Sequence, residues 1–126
     1  MNWATQEMQG VELGDERLNK RLVKILDCFS KDPESSIPRT CHDWSETKAT
    51  YRFFDNKKVT LEKVLQPHQE KTMNRIKQEK VVLLVQDTTE INYTGQKEKQ
   101  DVGPSHFENE EVFFLHPTLA VTPNKI

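Results

Sequence analysis

Apolar positions in the first half of the chain recur at helical spacing. Leu18, Leu22, Ile25, Leu26 and Phe29 share one side of a helix predicted from about Glu16 to Phe29. Leu13-Gly14-Asp15-Glu16 reads as its start, with Asp15 as the cap and Glu16 in the acidic first turn. Lys31 to Pro38 is a turn-rich connector whose two prolines forbid continuous helix. A second helix is predicted from near Asp43, where Glu46 follows at capping-box spacing, through Tyr51 to Phe54, with Asp55-Asn56 ending it. Trp44, Tyr51 and Phe54 lie close to one face of it. A third begins after Thr60 with Leu61, Val64 and Leu65, and Pro67 is expected to kink or split it.

At Val81 the pattern changes. Val81-Val82-Leu83-Leu84-Val85 has no alternation, as in a strand buried on both faces. It stops abruptly at Gln86-Asp87-Thr88-Thr89, and Ile91-Asn92-Tyr93 extends or re-enters the sheet. Thr94 to Glu111 is polar and loop-like. Val112 to Val121 is a second strand, with Pro117 forcing a bulge or an edge position in its middle. The fold class expected is α+β: a helical domain over 1–79, then a small β-element over 80–126.

Charge changes this picture in one respect. The net charge of −2 argues mildly against nucleic acid, yet residues 1–79 hold 14 Lys/Arg against 13 Asp/Glu, and residues 80–126 hold 4 against 7. The basic charge therefore sits in the helical part. Arg17, Lys20, Arg21 and Lys24 follow one another at three- and four-residue steps and form a cationic face beside the apolar one. Such a face lies along a phosphate backbone or reaches base edges. The plainer reading is a solvated amphipathic face, partly neutralised by Glu16 and Asp27. No leader is visible, and the longest apolar run is too short to span a bilayer. A soluble, cytoplasmic protein without membrane contact is expected.

Asp87 stands at the end of an apolar strand, where a carboxylate is costly unless it binds a cation or accepts hydrogen bonds. A hard divalent ion suits it; so does capping the following Thr-Thr turn. Arg52 sits in Tyr51-Arg52-Phe53-Phe54. Either it serves nucleic acid, or the aromatics are core and Arg52 snorkels or bridges to an acid. His68 and His116 read as structural histidines. Cys28 and Cys41 read as free, partly buried thiols, and no histidine has zinc-ligand spacing to a cysteine.

Together these pieces resemble a known family. Leu13-Gly14-Asp15-Glu16-Arg17-Leu18 with Arg21-Leu22, Ser36-Ile37-Pro38, and Tyr51-Arg52-Phe53-Phe54-Asp55-Asn56 resemble the end-binding domain of bacterial cut-and-paste DDE transposases. The likeness is to the insertion-sequence-four-like group, with a transposon-five-like end-binding domain. Val85-Gln86-Asp87-Thr88-Thr89-Glu90-Ile91-Asn92-Tyr93 and His116-Pro117-Thr118-Leu119-Ala120 resemble the first strands of its RNase H-like core.

The resemblance implies a helical domain that binds terminal inverted repeats in double-stranded DNA. It implies a core with two Asp and one Glu around Mg²⁺ or Mn²⁺, and dimers on paired ends. Asp87 matches the first acid, as catalytic residue and metal ligand; Arg17, Lys20, Arg21 and Lys24 are the DNA-binding candidates. Arg21 is the preferred base reader, since guanidinium bonds guanine bidentately. In the family the other two acids lie well downstream. Read this way the chain is a truncated front end, inactive alone, holding no metal stably, and able to dimerise with the full-length transposase. Two alternatives are an interaction module or inhibitor of the full-length enzyme that does not bind DNA, and a different RNase H-like nuclease completed by another chain.

Overall fold

The computed structural model describes residues 1–94, 103–104 and 111–124, with the backbone alone at 103, 104 and 111. Five helices come first: α1 (Trp3–Glu7), α2 (Glu16–Lys31), α3 (Ile37–Cys41), α4 (Trp44–Phe54) and α5 (Leu61–Ile76). Five strands follow: β1 (Leu83–Gln86), β2 (Thr89–Asn92), β3 (Gly103–Pro104), β4 (Glu111–Leu115) and β5 (Thr118–Val121). The architecture is α+β with small antiparallel sheets. The chain divides into two units, Met1–Arg75 and Ile76–Ile126.

In the first unit the start of α2 is set locally. Gly14 takes φ +84°, a left-handed conformation that a side chain resists. That turn lets Asp15 accept from the Arg17 amide at 2.9 Å and cap the helix. Leu22 and Ile25 on α2 pack with Met8, Val11, Leu13 and Phe53 into the core; Leu18, Leu26 and Phe29 close it from the side.

α4 begins at Asp43, whose carboxylate accepts from the Ser45 and Glu46 amides. Its buried face is not the aromatic one expected. Thr47, Thr50 and Phe53 are inside, while Trp44, Tyr51 and Phe54 are exposed. The threonines can be buried because each hydroxyl donates to a carbonyl one turn back: Thr47 to Asp43 and Thr50 to Glu46, both at 2.9 Å.

Two short helices escaped the pattern. α1 is capped by Asn2, whose side chain accepts from the Thr5 amide at 2.9 Å. α3 starts inside the expected connector, with Pro38 in its first turn, where a missing N–H costs nothing. Pro67 does not split α5 into two elements; it is buried within one helix.

α1 is tied to α5 by a charged clamp. The Glu7 carboxylate, 11% exposed, accepts from Arg75 Nη1 at 3.0 Å and Nη2 at 2.7 Å, and lies 2.6 Å from His68 Nδ1. The Arg75 guanidinium, aided by His68, holds the Glu7 carboxyl down at about 2 against an ordinary 4.5. A lowered folded pKa means stability present above pH 4.5 and lost as pH falls toward 2. Both partners are half exposed, so solvent screening limits the contribution to about 1–2 kcal/mol. Glu7→Gln is expected to lower the melting temperature at pH 6 and to converge with the wild type near pH 2. A constant difference between the two proteins across that window would count against the clamp.

In the second unit β1 pairs with β5 and β2 with β4, both antiparallel, and β3 adds to β4. The registers Leu83↔Val121 and Thr89↔Leu115 belong to one continuous ribbon, 83–92 against 112–121, interrupted at Asp87-Thr88 opposite His116-Pro117. Proline cannot donate to the ladder, and the break falls on it. The pairing resumes in the same register, so Pro117 interrupts the strand without a bulge. Thr88 Oγ1 spans the gap to His116 Nδ1 at 2.7 Å.

The apolar run suits a strand buried on both faces, yet all four residues of β1 are exposed, with Leu84 at 65%. A continuous apolar run signals a strand suited to cover on both sides, but among the described residues β1 pairs with β5 alone. The expected loop from Thr94 to Glu111 lies largely outside the described residues. No described helix is long and apolar enough to cross a membrane.

Candidate nucleic-acid interface

The four cations of α2 share a face by spacing, but the fold treats them differently. Arg17 is 91% exposed and its guanidinium meets Asp15 Oδ2 at 2.9 Å. That contact and the cap hold the Asp15 carboxyl down at about 2. Arg21 Nη1 lies 2.5 Å from Glu46 Oε2, and Lys24 Nζ lies 2.7 Å from Glu46 Oε1. Glu46 therefore bridges α2 to α4. The Lys24 ammonium, with the Arg21 guanidinium, holds it below the usual carboxylate range.

The acids expected to neutralise the stripe do otherwise. Asp27 pairs with Lys31 at 2.8 Å, and Glu16 accepts from Asn19 at 3.2 Å. Lys20 stands exposed at the rim of a separate, mostly apolar hollow of about 420 Å³, near Met1, Met8, Val11 and Val23. No ion pair holds it among the described residues.

A second open hollow, about 380 Å³, lies between α2 and α4. Arg17 and Arg21 line it from α2, Arg52 from α4, and Lys58 from the turn after α4. Asp15 is the one acid in its lining, which also includes Leu18, Ala49, Phe53 and Asn56. Four cations line it, with Arg17 paired to Asp15 and Arg21 to Glu46, an arrangement whose donors suit phosphate oxygens. Guanidinium forks bind phosphate oxygens bidentately, and a lysine adds a point charge.

The structure thus groups Arg17 and Arg21 with Arg52 and Lys58, leaving Lys20 and Lys24 outside the hollow. Arg52 is exposed, and no ion pair bridges it to an acid among the described residues. Lys58 escaped the sequence reading because it sits in a turn, where helical periodicity says nothing. The pair Lys57-Lys58 after Asn56 was its only signal.

Asp87 lies in the second unit, at the ribbon's interruption. It is exposed, and its Oδ1 accepts from the Thr88 amide at 2.9 Å. Among the described residues no group of three or more His, Cys, Asp or Glu is placed to hold a metal ion. Cys28 and Cys41 are free thiols, the second buried and 3.4 Å from Thr50 Oγ1.

Residues 1–59 match the family model described as Transposase DNA-binding. The match supports the N-terminal part of a transposase. It takes in α1 to α4 and every residue lining the cationic hollow. No curated protein matches the chain.

Proposed function

We propose that this chain is the DNA-binding part of a transposase and recognises the terminal inverted repeats of its element through the helical unit. The observation that carries the reading is the hollow of Arg17, Arg21, Arg52 and Lys58 inside the matched segment. Phosphate oxygens entering it exchange water and condensed counterions for fixed guanidinium and ammonium groups. Arg17 is free enough to leave Asp15 for a phosphate. Arg21 is presented at the edge of the hollow by its contact with Glu46.

The finer identity belongs to the same reading: an insertion-sequence element, an RNase H-like core beginning at β1, and Asp87 as its first acid. Mg²⁺ or Mn²⁺ would assist phosphodiester attack in such a core. Asp87 alone does not fit a two-metal site. Dimerisation with a full-length transposase is likewise part of the proposal. Exposed Leu83, Leu84, Val85, Phe113 and Phe114 support the alternative of a protein-interaction module.

The test is fluorescence anisotropy of the full chain with inverted-repeat and scrambled duplexes across a salt series. Four cations on phosphates give a slope of log affinity against log salt of about −3 to −4, from ~0.9 per phosphate neutralised. Tighter binding to the repeat is expected at every salt concentration. Absence of any salt-dependent binding would leave the interaction module as the better reading.

A further inference from the structure

α4 carries a second surface that phosphate binding leaves unexplained. Trp44, Lys48 and Tyr51 follow at four- and three-residue steps and so share a face. Trp44 is 74% exposed and Tyr51 48%. Lys48 Nζ stands 5.8 Å from the Trp44 ring centroid, a cation over an indole. The helix buries its opposite side through Phe53. Arg52, the next residue around from Tyr51, belongs to the cationic hollow. The aromatic face is therefore continuous with a polyanion cradle. Asp43, the nearest acid at its N-terminal end, is occupied in capping the Ser45 and Glu46 amides.

We propose that Trp44 is a stacking platform for an unpaired or unstacked base of the DNA held by this unit, with Lys48 and Arg52 on the flanking phosphates. The inference rests on the DNA-binding reading and deepens it from the backbone to the bases. A flat indole has a π-face that every base can use, so the contact recognises local opening of the duplex rather than one sequence. Aromatic and apolar side chains inserted at base steps act on duplex DNA in the same sense, by holding a step unstacked. Lys48 is well placed to leave the indole for a phosphate while a base takes its place. Tyr51, one turn beyond Lys48, extends the surface toward Arg52.

The test uses the full chain carrying Trp3→Phe, which leaves Trp44 as its sole tryptophan. The probes are a short mixed-sequence duplex and the same duplex with one unpaired thymine. Emission from Trp44 is expected to be quenched by the probe with the unpaired base, which binds the more tightly. Trp44→Ala should weaken that binding roughly ten- to hundredfold, leave the matched duplex little affected, and leave the salt slope unchanged. Trp44→Phe should keep part of the preference, and serves if the alanine variant folds poorly. If the matched duplex still binds with a steep salt dependence while Trp44→Ala and Trp44→Phe change neither probe, the platform is wrong and the DNA reading stands. If neither duplex binds, both fall. Emission that shifts with protein concentration and ignores DNA would give the face to a second copy of the chain and overturn the proposal.

Discussion

Phe53→Ala is expected to cost about 3–5 kcal/mol, the usual range for emptying a buried phenylalanine site. Phe53 is 2% exposed and belongs to a core with Leu13, Leu22 and Ile25. Stabilities of domains are only about 5–15 kcal/mol in total, so the loss removes much of the margin. Its neighbour supplies the control. Phe54 is 51% exposed and touches Phe53 edge-on, with centroids 5.5 Å apart. Phe54→Ala should cost about 1 kcal/mol, chiefly that ring contact. Urea unfolding followed by helical circular dichroism compares the two. Equal midpoint shifts would mean that the buried face of α4 has been misassigned.

That assignment is where the sequence misled most. Along α2 the apolar stripe and the Asp15 cap are both local signals, and the helix runs from Glu16 to Lys31 with Leu22 and Ile25 inside. Along α4 the ends were legible, since Asp43 caps locally, but the face was not. Three large aromatics outweighed two threonines in the pattern, although the threonines satisfy their own hydroxyls and go inside. α1 and α3 have five residues each, too few for a periodic signal. Pro67 marks a local preference against helix, yet it lies within the single helix α5. The strand Leu83–Gln86 is visible as the apolar run Val81–Val85, which starts two residues earlier; its exposure depends on what packs against it, which no local pattern encodes.

The candidate interface divides in the same way. Arg17, Lys20, Arg21 and Lys24 are visible as a stripe because they occupy one helix. Their separation into Arg17 and Arg21 within the hollow, Lys24 on Glu46 and Lys20 elsewhere depends on tertiary contacts. Glu46 is 25 residues from Arg21 in the sequence, and its spacing from Asp43 suggested a capping box instead. The amide half of that motif forms: Asp43 accepts from Glu46 N at 3.2 Å, while the Glu46 carboxylate turns to α2. Charge patterning along one chain segment cannot reveal which cations a remote acid will hold.

Glu46→Gln is accordingly expected to raise affinity for duplex DNA, by about as much as removing one phosphate-binding cation lowers it. One carboxylate engages two cations, at 2.5 and 2.7 Å. Its neutral isostere keeps the shape of α4 and releases both charges to the solution side. If Lys24 then joins Arg21 on a phosphate, the salt slope steepens by up to about 0.9, from ~0.9 per contact. At 0.1 M salt this corresponds to a gain of roughly tenfold for each phosphate gained. The stability cost should stay under about 1 kcal/mol, because Arg21 and Lys24 are partly exposed and the pair is screened. Arg21→Ala in the same background separates the two cations. If Arg21 reads a guanine, its removal relaxes the preference for the inverted repeat and costs roughly 1–3 kcal/mol on that duplex alone. If it meets a phosphate, both duplexes weaken together and the slope flattens by about one unit. Anisotropy at several salt concentrations distinguishes these outcomes. An unchanged affinity for Glu46→Gln on both duplexes would show that the Glu46-bound pair faces away from DNA and that binding belongs to Arg17, Arg52 and Lys58.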